Sequence, residues 1–310
     1  MIVIRILAIV GNNSKVVTYT SDNSGRQAAD NGGATEMTGL VRTTAAILAA
    51  GLLTLAAGAA TAAEVLWLGQ AAFKITSPGG KVIVIDPFIT KNPKTPAEHK
   101  DLAKLGKVDI ILVTHGHGDH VGDTVELAKM TGAKVLINAD MGTTFATIGW
   151  LEQKQMVRFN KSGPVKPVDG ITVTMTHAEH SSSVSWKNPD TDKMESLHGG
   201  EPVGYIIELE DGYTIYHAGD TGVFGDMGFI GSYYKPDLAL LPIGGHFTMD
   251  PVHAAYAVNT LLKPKTVMPM HYGTFPPLKG TPEEFKAALG NSATKLVVMQ
   301  PGETHKFGGM

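Results

Sequence analysis

Residues 114–120 read Thr-His-Gly-His-Gly-Asp-His, which places His115, His117, Asp119 and His120 within six residues. Neutral imidazole and carboxylate are the ligands that zinc-like ions take, and Gly116 and Gly118 let the backbone turn so that alternate side chains converge. A solvated loop has no reason to alternate His and Gly in step with an acid. The chemistry available to such a site is hydrolytic: an ion held by imidazole and carboxylate activates water near neutral pH and polarises the oxygen under attack. The chain contains no cysteine. That excludes disulfides, thiolate ligands and a cysteine nucleophile together, so any metal must be held by His, Asp and Glu.

Three further stretches share one habit, a metal-capable side chain directly after an apolar, β-rich run. Residues 171–176 lead to His177 and His180, residues 213–216 to His217 and Asp220, and residues 266–270 to His271. The first cluster likewise follows the run Val108 to Val113. If these runs are strands of adjoining sheets, their ends can meet at one edge.

The elements that must position them follow from patterning. Runs at 65–68, 72–75 and 81–85, separated by Gly-Gln and Ser-Pro-Gly-Gly, predict an opening antiparallel meander. Helices are expected over 93–105 and 121–130, and strands over 108–113, 134–137, 156–159, 171–176, 203–209, 213–216, 238–242, 266–270 and 295–299. Further helices fit 251–262 and 282–289. This α/β inventory suits two sheets packed face to face with helices outside. The segment from Ser181 to Pro202 reads as a loop that could wall or cover a pocket.

The chain has 310 residues and a net charge of −3, with no basic stripe of the kind nucleic acids attract. Its N-terminal portion reads differently from the rest. From Met37 a short basic region ending at Arg42 precedes an Ala/Leu-rich stretch and the small-residue site Ala60-Thr61-Ala62, which is the pattern of a secretory signal peptide over 37–62. The apolar run falls short of the roughly 20 residues of a membrane span. Residues 1–36, rich in Asn, Ser, Gly and Thr, are expected to be a non-native or disordered extension upstream of the true start. The mature domain is then 63–310, with 22 basic and 26 acidic side chains once the 4 and 3 of the first 62 residues are set aside, hence a net −4. Such a product is periplasmic or secreted and keeps no stable membrane anchor; a homo-oligomer is compatible with it.

The motifs resemble the metallo-β-lactamase superfamily, and within it the ascorbate-6-phosphate lactonase-like branch of metal-dependent hydrolases. The matching stretches are Trp67 to Phe73, Asp86-Pro87-Phe88, His115 to His120, His217 to Thr221, Leu241 to Met249 and Pro269 to Gly273, spread over residues 64–276. The resemblance implies an α/β fold, a four-layer αββα sandwich. It implies two divalent cations, zinc by preference though manganese or iron also suit the ligands. One would be held by His115, His117 and His180, the other by Asp119, His120 and His271, with Asp220 as the bridge. His177 competes with His180, and the family pattern favours the residue just before Ser181. Asp86 is implied to orient a ligand from behind, and His217 to play a packing role.

The expected function is hydrolysis of a small-molecule ester, lactone or phosphodiester by a hydroxide held between two metals. Asp119 would orient that nucleophile and pass a proton to the leaving group, and His246, on a Gly-rich loop, would reach the substrate or shuttle a proton. The missing cysteine disfavours the commonest zinc β-lactamase chemistry. The alternatives are a zinc β-lactamase-like amide hydrolase and a metal-binding protein without catalysis. Mass spectrometry of the native protein should find no peptide from residues 1–36 and a mature N-terminus at Ala63; any peptide from the extension defeats that reading.

Overall fold

The computed structural model describes residues 62–309 in full and the backbone of residues 3–10 and 13–20. The chain divides into two compact units, Met1–Ala57 and Gly58–Met310. In the first, β1 (Val3–Val10) and β2 (Asn13–Thr20) pair as an antiparallel hairpin, Val3 opposite Thr20 and Val10 opposite Asn13. The proposed signal segment 37–62 lies outside the described residues except for Ala62.

The second unit begins with β3 (Ala63–Gly69), β4 (Ala72–Thr76) and β5 (Val82–Ile85), the meander expected from the turn residues. It continues with β6 (Ile110–Leu112), β7 (Lys134–Asn138), β8 (Met156–Phe159), β9 (Pro164–Val168) and β10 (Ile171–His177). Then come β11 (Ser183–Lys187), β12 (Met194–His198), β13 (Val203–Glu208) and β14 (Thr214–His217). The last four are β15 (Leu238–Pro242), β16 (Thr266–Met270), β17 (Lys295–Leu296) and β18 (Thr304–Phe307). They build two seven-stranded sheets, ordered β18-β3-β4-β5-β6-β7-β8 and β17-β16-β15-β14-β13-β10-β9, plus the hairpin β11-β12.

Strand alternation sorts side chains into layers. Ile83, Ile85, Ile110 and Leu112 of the first sheet face Ile207, Ile215, Leu238 and Leu240 of the second in one central core. The alternate residues Val84, Ile111 and Val113 pack under outer elements that include Leu127 and Phe145, while Ala239 and Leu241 pack under Ala254, Val258 and Phe285. Two sheets inside and helices outside give the αββα sandwich. Its outer helices carry ordinary sequence signals: Thr281 and Glu284 form a reciprocal capping box around Pro282 at the start of Pro282–Leu289. Among the described residues no helix is long and apolar enough to cross a membrane.

Some elements differ from expectation. The predicted helix over 93–105 is two 3₁₀ turns, Ala97–His99 and Leu102–Leu105, because Pro93 and Pro96 withhold amide donors and Gly106, at φ 71°, ends the second turn. The predicted loop at 181–202 contains the hairpin β11-β12, and helix Ala139–Thr147 and strands β9 and β18 were not foreseen. Both strands lie at sheet edges, where one neighbour suffices and the apolar alternation weakens. The sequence Pro164-Val165-Lys166-Pro167-Val168 is tolerated only because an edge strand can lack ladder donors.

Leu240 is wholly buried at the centre of the sandwich. Replacing it with Ala should cost about 2–5 kcal/mol in urea unfolding of the full chain, a cavity plus lost transfer energy; a loss under about 1 kcal/mol would mean the site collapses around the gap.

Candidate metal centre

The topology brings ligand-bearing strand ends to one edge. In the second sheet β13 runs antiparallel to both β10 and β14, and β15 and β16 run parallel to β14, so β10, β14 and β16 share a direction. In the first sheet β3, β5 and β6 share a direction by the same reasoning. Residues just after each strand therefore collect along the sandwich rim: Gln70 after β3, Asp86 after β5, His115 and His117 after β6, His180 after β10, Asp220 after β14 and His271 after β16. Asp119 and His120 ride on the helical turn Gly118–Val121.

Seven expected ligands come together here. Their donor atoms form three overlapping trios, His115/His117/His180, His115/His120/Asp220 and Asp119/His120/His271, within each of which all atoms lie inside 4.8 Å. Asp220 is central: its Oδ2 is 3.0 Å from His271 Nε2 and 3.7 Å from His180 Nε2, and its Oδ1 is 3.2 Å from His120 Nε2. Asp119 Oδ2 lies 3.6 Å from His271 Nε2 and 3.8 Å from His120 Nε2, while His115 Nε2 and His117 Nδ1 are 2.9 Å apart.

Burial shapes the electrostatics. Taking Asp220 out of water would raise its carboxyl, but His120 and His271 outweigh that and hold it well below the usual carboxylate range. Burial opposes a charge on His271, yet the Asp220 carboxylate prevails and pushes it up to about 9. His120 is likewise held well above the imidazole range, against burial, by Asp220, Asp86 and Asp119. His115 goes the other way, pushed well down by burial and then by His120, and burial also lowers His117 and His180. The cluster thus presents neutral imidazoles on one side and carboxylates in need of positive charge on the other.

The donor set fits divalent cations. Buried His120 Nε2 and Asp220 Oδ1 stand 3.2 Å apart and neither has a hydrogen-bond partner. Buried polar atoms are nearly always paired, and a cation between these two would satisfy both. Nitrogen and carboxylate oxygen, with no sulfur, suit zinc, manganese or iron alike.

Supporting groups fix the ligands from behind. Asp86 accepts from Thr114 N at 2.8 Å, Thr114 Oγ1 at 2.7 Å and His120 Nδ1 at 2.7 Å, so His120 carries its proton on Nδ1 and turns Nε2 toward the cluster. His217 is a tie between the sheets: its Nδ1 accepts from Gly219 N at 3.1 Å and its Nε2 donates to Ala71 O at 3.0 Å. Gln70 Nε2 donates to Asp119 Oδ2 at 2.8 Å and lies 2.7 Å from His271 Nε2. Gln70, Asp86 and His271 adopt left-handed backbone, at φ 51°, 44° and 55°. Such non-glycine conformations cost about 1–3 kcal/mol each and persist where the surroundings over-determine them. Gly116 is required by contact: a Cβ there would lie 2.9 Å from the Ser183 carbonyl, because β11 presses on the ligand loop.

Other histidines stay apart. His177 is half-exposed, 3.3 Å from Glu179 and edge-on to Phe224, so only His180 joins the cluster. His246, expected to reach substrate, does not line the metal cavity; it is exposed and borders a neighbouring depression with Asp250 and Pro277, while the next residue, Phe247, lines the cavity instead. The left-handed turn at Gly245 and His246 produces that exchange. His253 pairs with Asp250 at 3.1 Å on the surface. Sequence reasoning assigned no role to Gln70 or Thr114, since neither an amide nor a hydroxyl carries a metal-ligand spacing.

The cavity over the cluster has a volume of about 570 Å³. Gln70, His117, Asp119, His180, Asp220 and His271 form its polar floor, with Phe88, Phe247, Phe275 and Leu278 as apolar walls. Among the described residues lining it none is Lys or Arg. Replacing Asp86 with Ala frees the His120 ring and orphans Thr114 N. Zinc affinity, read by chelator competition, should fall by about 10- to 100-fold; unchanged affinity would show that packing alone orients His120.

Comparison with known proteins agrees with this geometry. The family described as "Beta-lactamase superfamily domain" matches residues 81–272. A UPF0173 metal-dependent hydrolase from a Polaromonas species is 57% identical over 270 residues, covering 86% of this chain and 99% of its own. A counterpart from Methanosarcina mazei is 45% identical over 242 residues, covering 78% and 97%. Among solved structures, the metallo hydrolase Igni18 from the archaeon Ignicoccus hospitalis superimposes with a TM-score of 0.68 at 39% identity, over 80% of this chain and 99% of its own.

Proposed function

We propose that this chain, which belongs to the metallo-β-lactamase superfamily and is a metal-dependent hydrolase, cleaves small, uncharged esters or lactones. The observation that carries the reading is the cavity lining. A floor of carboxylates and imidazoles lies under walls of Phe88, Phe247, Phe275 and Leu278, with no lysine or arginine among the described lining residues to receive a phosphate or carboxylate of the substrate. An apolar acyl group is what such walls accept.

His115, His117 and His180 would hold one divalent cation and Asp119, His120 and His271 a second, zinc by preference, with Asp220 shared between them. Bound there, the pair supplies an activated water near neutral pH and a Lewis acid for the attacked carbonyl. The chain's own residues do the rest. Asp119, ionised and the most exposed acid of the cluster at 26%, would orient the attacking water, take up its proton and hand that proton to the departing oxygen. Phe88 and Phe275, with ring centroids 6.3 Å apart, and Phe247 hold the acyl portion and keep bulk water out. Action outside the cytoplasm belongs to the same proposal and is supported by the signal pattern of residues 37–62.

Zinc-loaded protein should turn over p-nitrophenyl esters and simple lactones, and bis(p-nitrophenyl) phosphate much more slowly, with a chelator stopping all three. Asp220→Ala should lower kcat by at least about 100-fold, the scale lost with one charge-stabilising group, while circular dichroism is retained. Faster turnover of the phosphodiester would reverse the substrate assignment, and bound metal with no turnover across esters and lactones would favour a binding protein.

A further inference from the structure

Thr221 closes the His-Ala-Gly-Asp-Thr stretch that runs out of β14, directly after Asp220, and is wholly buried. Its hydroxyl is fully committed. The proton goes to Gly222 O at 2.6 Å, which leaves a lone pair to accept from Glu179 N at 2.9 Å. Gly222 N returns a bond to Glu179 O, also at 2.9 Å. Both main-chain groups of Glu179 are therefore clamped to the loop that carries Asp220, and Glu179 immediately precedes His180. Thr221 O meanwhile accepts from Met249 N at 2.9 Å, and Met249 O accepts from Gly245 N at 3.0 Å, which closes the turn that carries Phe247.

The clamp matters because of how His180 is held. His120 is fixed through its ring, by Asp86 at Nδ1. Among the described residues no hydrogen bond reaches the ring of His180; its Nε2 faces Asp220 Oδ2 at 3.7 Å, and its ring meets those of His115 and His117 edge-on, with centroids 5.1 and 5.2 Å away. A ligating imidazole usually has a partner on its second nitrogen that orients it. Without one, His180 takes its place from its main chain. That main chain is fixed on one side by Glu179 and on the other by Ser182, whose Oγ accepts from Gly116 N at 3.1 Å and donates to Gly199 O at 2.9 Å. Of these two anchors, the first joins His180 to the loops of Asp220 and Phe247.

Building on the two-cation reading above, we propose that Thr221 is a positioning residue that sets the His180 ligand and the Phe247 wall in register with Asp220: its hydroxyl arm holds the ligand and its carbonyl arm the wall. Mutation separates the two arms. A side-chain change at 221 cuts only the hydroxyl arm, so metal binding and kcat should respond while KM, governed by the wall, should not.

The test compares wild type with Thr221→Val, which keeps the branched shape and loses the hydroxyl, and Thr221→Ser, which keeps the hydroxyl, in zinc titrations of the full chain against a chromophoric chelator. His180→Ala identifies the class of ion that depends on His180. Thr221→Val should weaken that same class by about tenfold, the low end of what loss of a group behind a ligand costs, with any other class unmoved and Thr221→Ser close to wild type. For a p-nitrophenyl ester kcat should fall in Thr221→Val while KM stays within about twofold. Amide hydrogen exchange reads the clamp in wild type itself: the Glu179 N–H should be protected although its side chain is 67% exposed. Should Thr221→Val not fold, Thr221→Ala and the exchange measurement decide. Unchanged zinc affinity in a folded variant without the hydroxyl, equal loss in Thr221→Val and Thr221→Ser, or a Glu179 amide that exchanges as fast as a free loop each overturns the proposal. A single ion in wild type would remove the two-cation reading, and Thr221 would then be judged on that ion by the same comparison of Val with Ser; metal bound without turnover would remove the hydrolytic reading and leave the affinity test to decide on Thr221.

Discussion

The structure turns on a carboxylate that cannot be left alone. Asp220 is 3% exposed and ionised, set among His120, His180 and His271. An unpaired charge in that position would cost several kcal/mol, so positive charge must come to it. Two protonated imidazoles answer the demand in the protein by itself, and cations answer it better because they also satisfy the atoms that protons leave orphaned. The rim is built to keep this demand in place: Asp86 locks His120, His217 ties β14 to the β3-β4 turn, and Tyr205 of the second sheet donates to Val113 O of the first at 2.8 Å, one residue before Thr114. The last two contacts join the sheets beside the ligands, and rigid sheet edges place ligating atoms more accurately than loops of equal length.

What the residues reveal before folding depends on how local the signal is. The 115–120 cluster is legible because its ligands share one turn. His180, Asp220 and His271 are legible because each follows an apolar run, and parallel strands in one sheet deliver such positions to a common edge. Nothing local marks the amide of Gln70 as part of this site; its neighbours Asp119 and His271 are far along the chain, and an amide has no periodic or ligand pattern. The exchange of His246 for Phe247 in the cavity wall is a matter of one left-handed turn, which composition does not encode. Edge strands such as β9 were hidden by the prolines that only an edge permits.

The same comparison separates chemistry from specificity. The ligand cluster rests on main-chain geometry so constrained that three non-glycine residues adopt left-handed conformations and a Cβ at Gly116 has no room. The walls rest on loops: Phe247 and Phe275 are 57% and 37% exposed, so they can change identity without disturbing the floor. On the proposed reading, hydrolytic capacity belongs to the sheet edges and substrate choice to the loops above them.

The shared rim has a consequence for how the protein is made. The trio of His115, His117 and His180 is complete in sequence by residue 180, whereas Asp220 follows β14 and the trio of Asp119, His120 and His271 waits for His271, just after β16. A nascent chain that has emerged only as far as residue 200 already displays the whole 115–120 motif, yet it lacks Asp220 and His271 and cannot assemble the centre. The seven side chains are therefore together only once the second sheet has been laid down, which makes completion of the cluster a late step in the making of the chain.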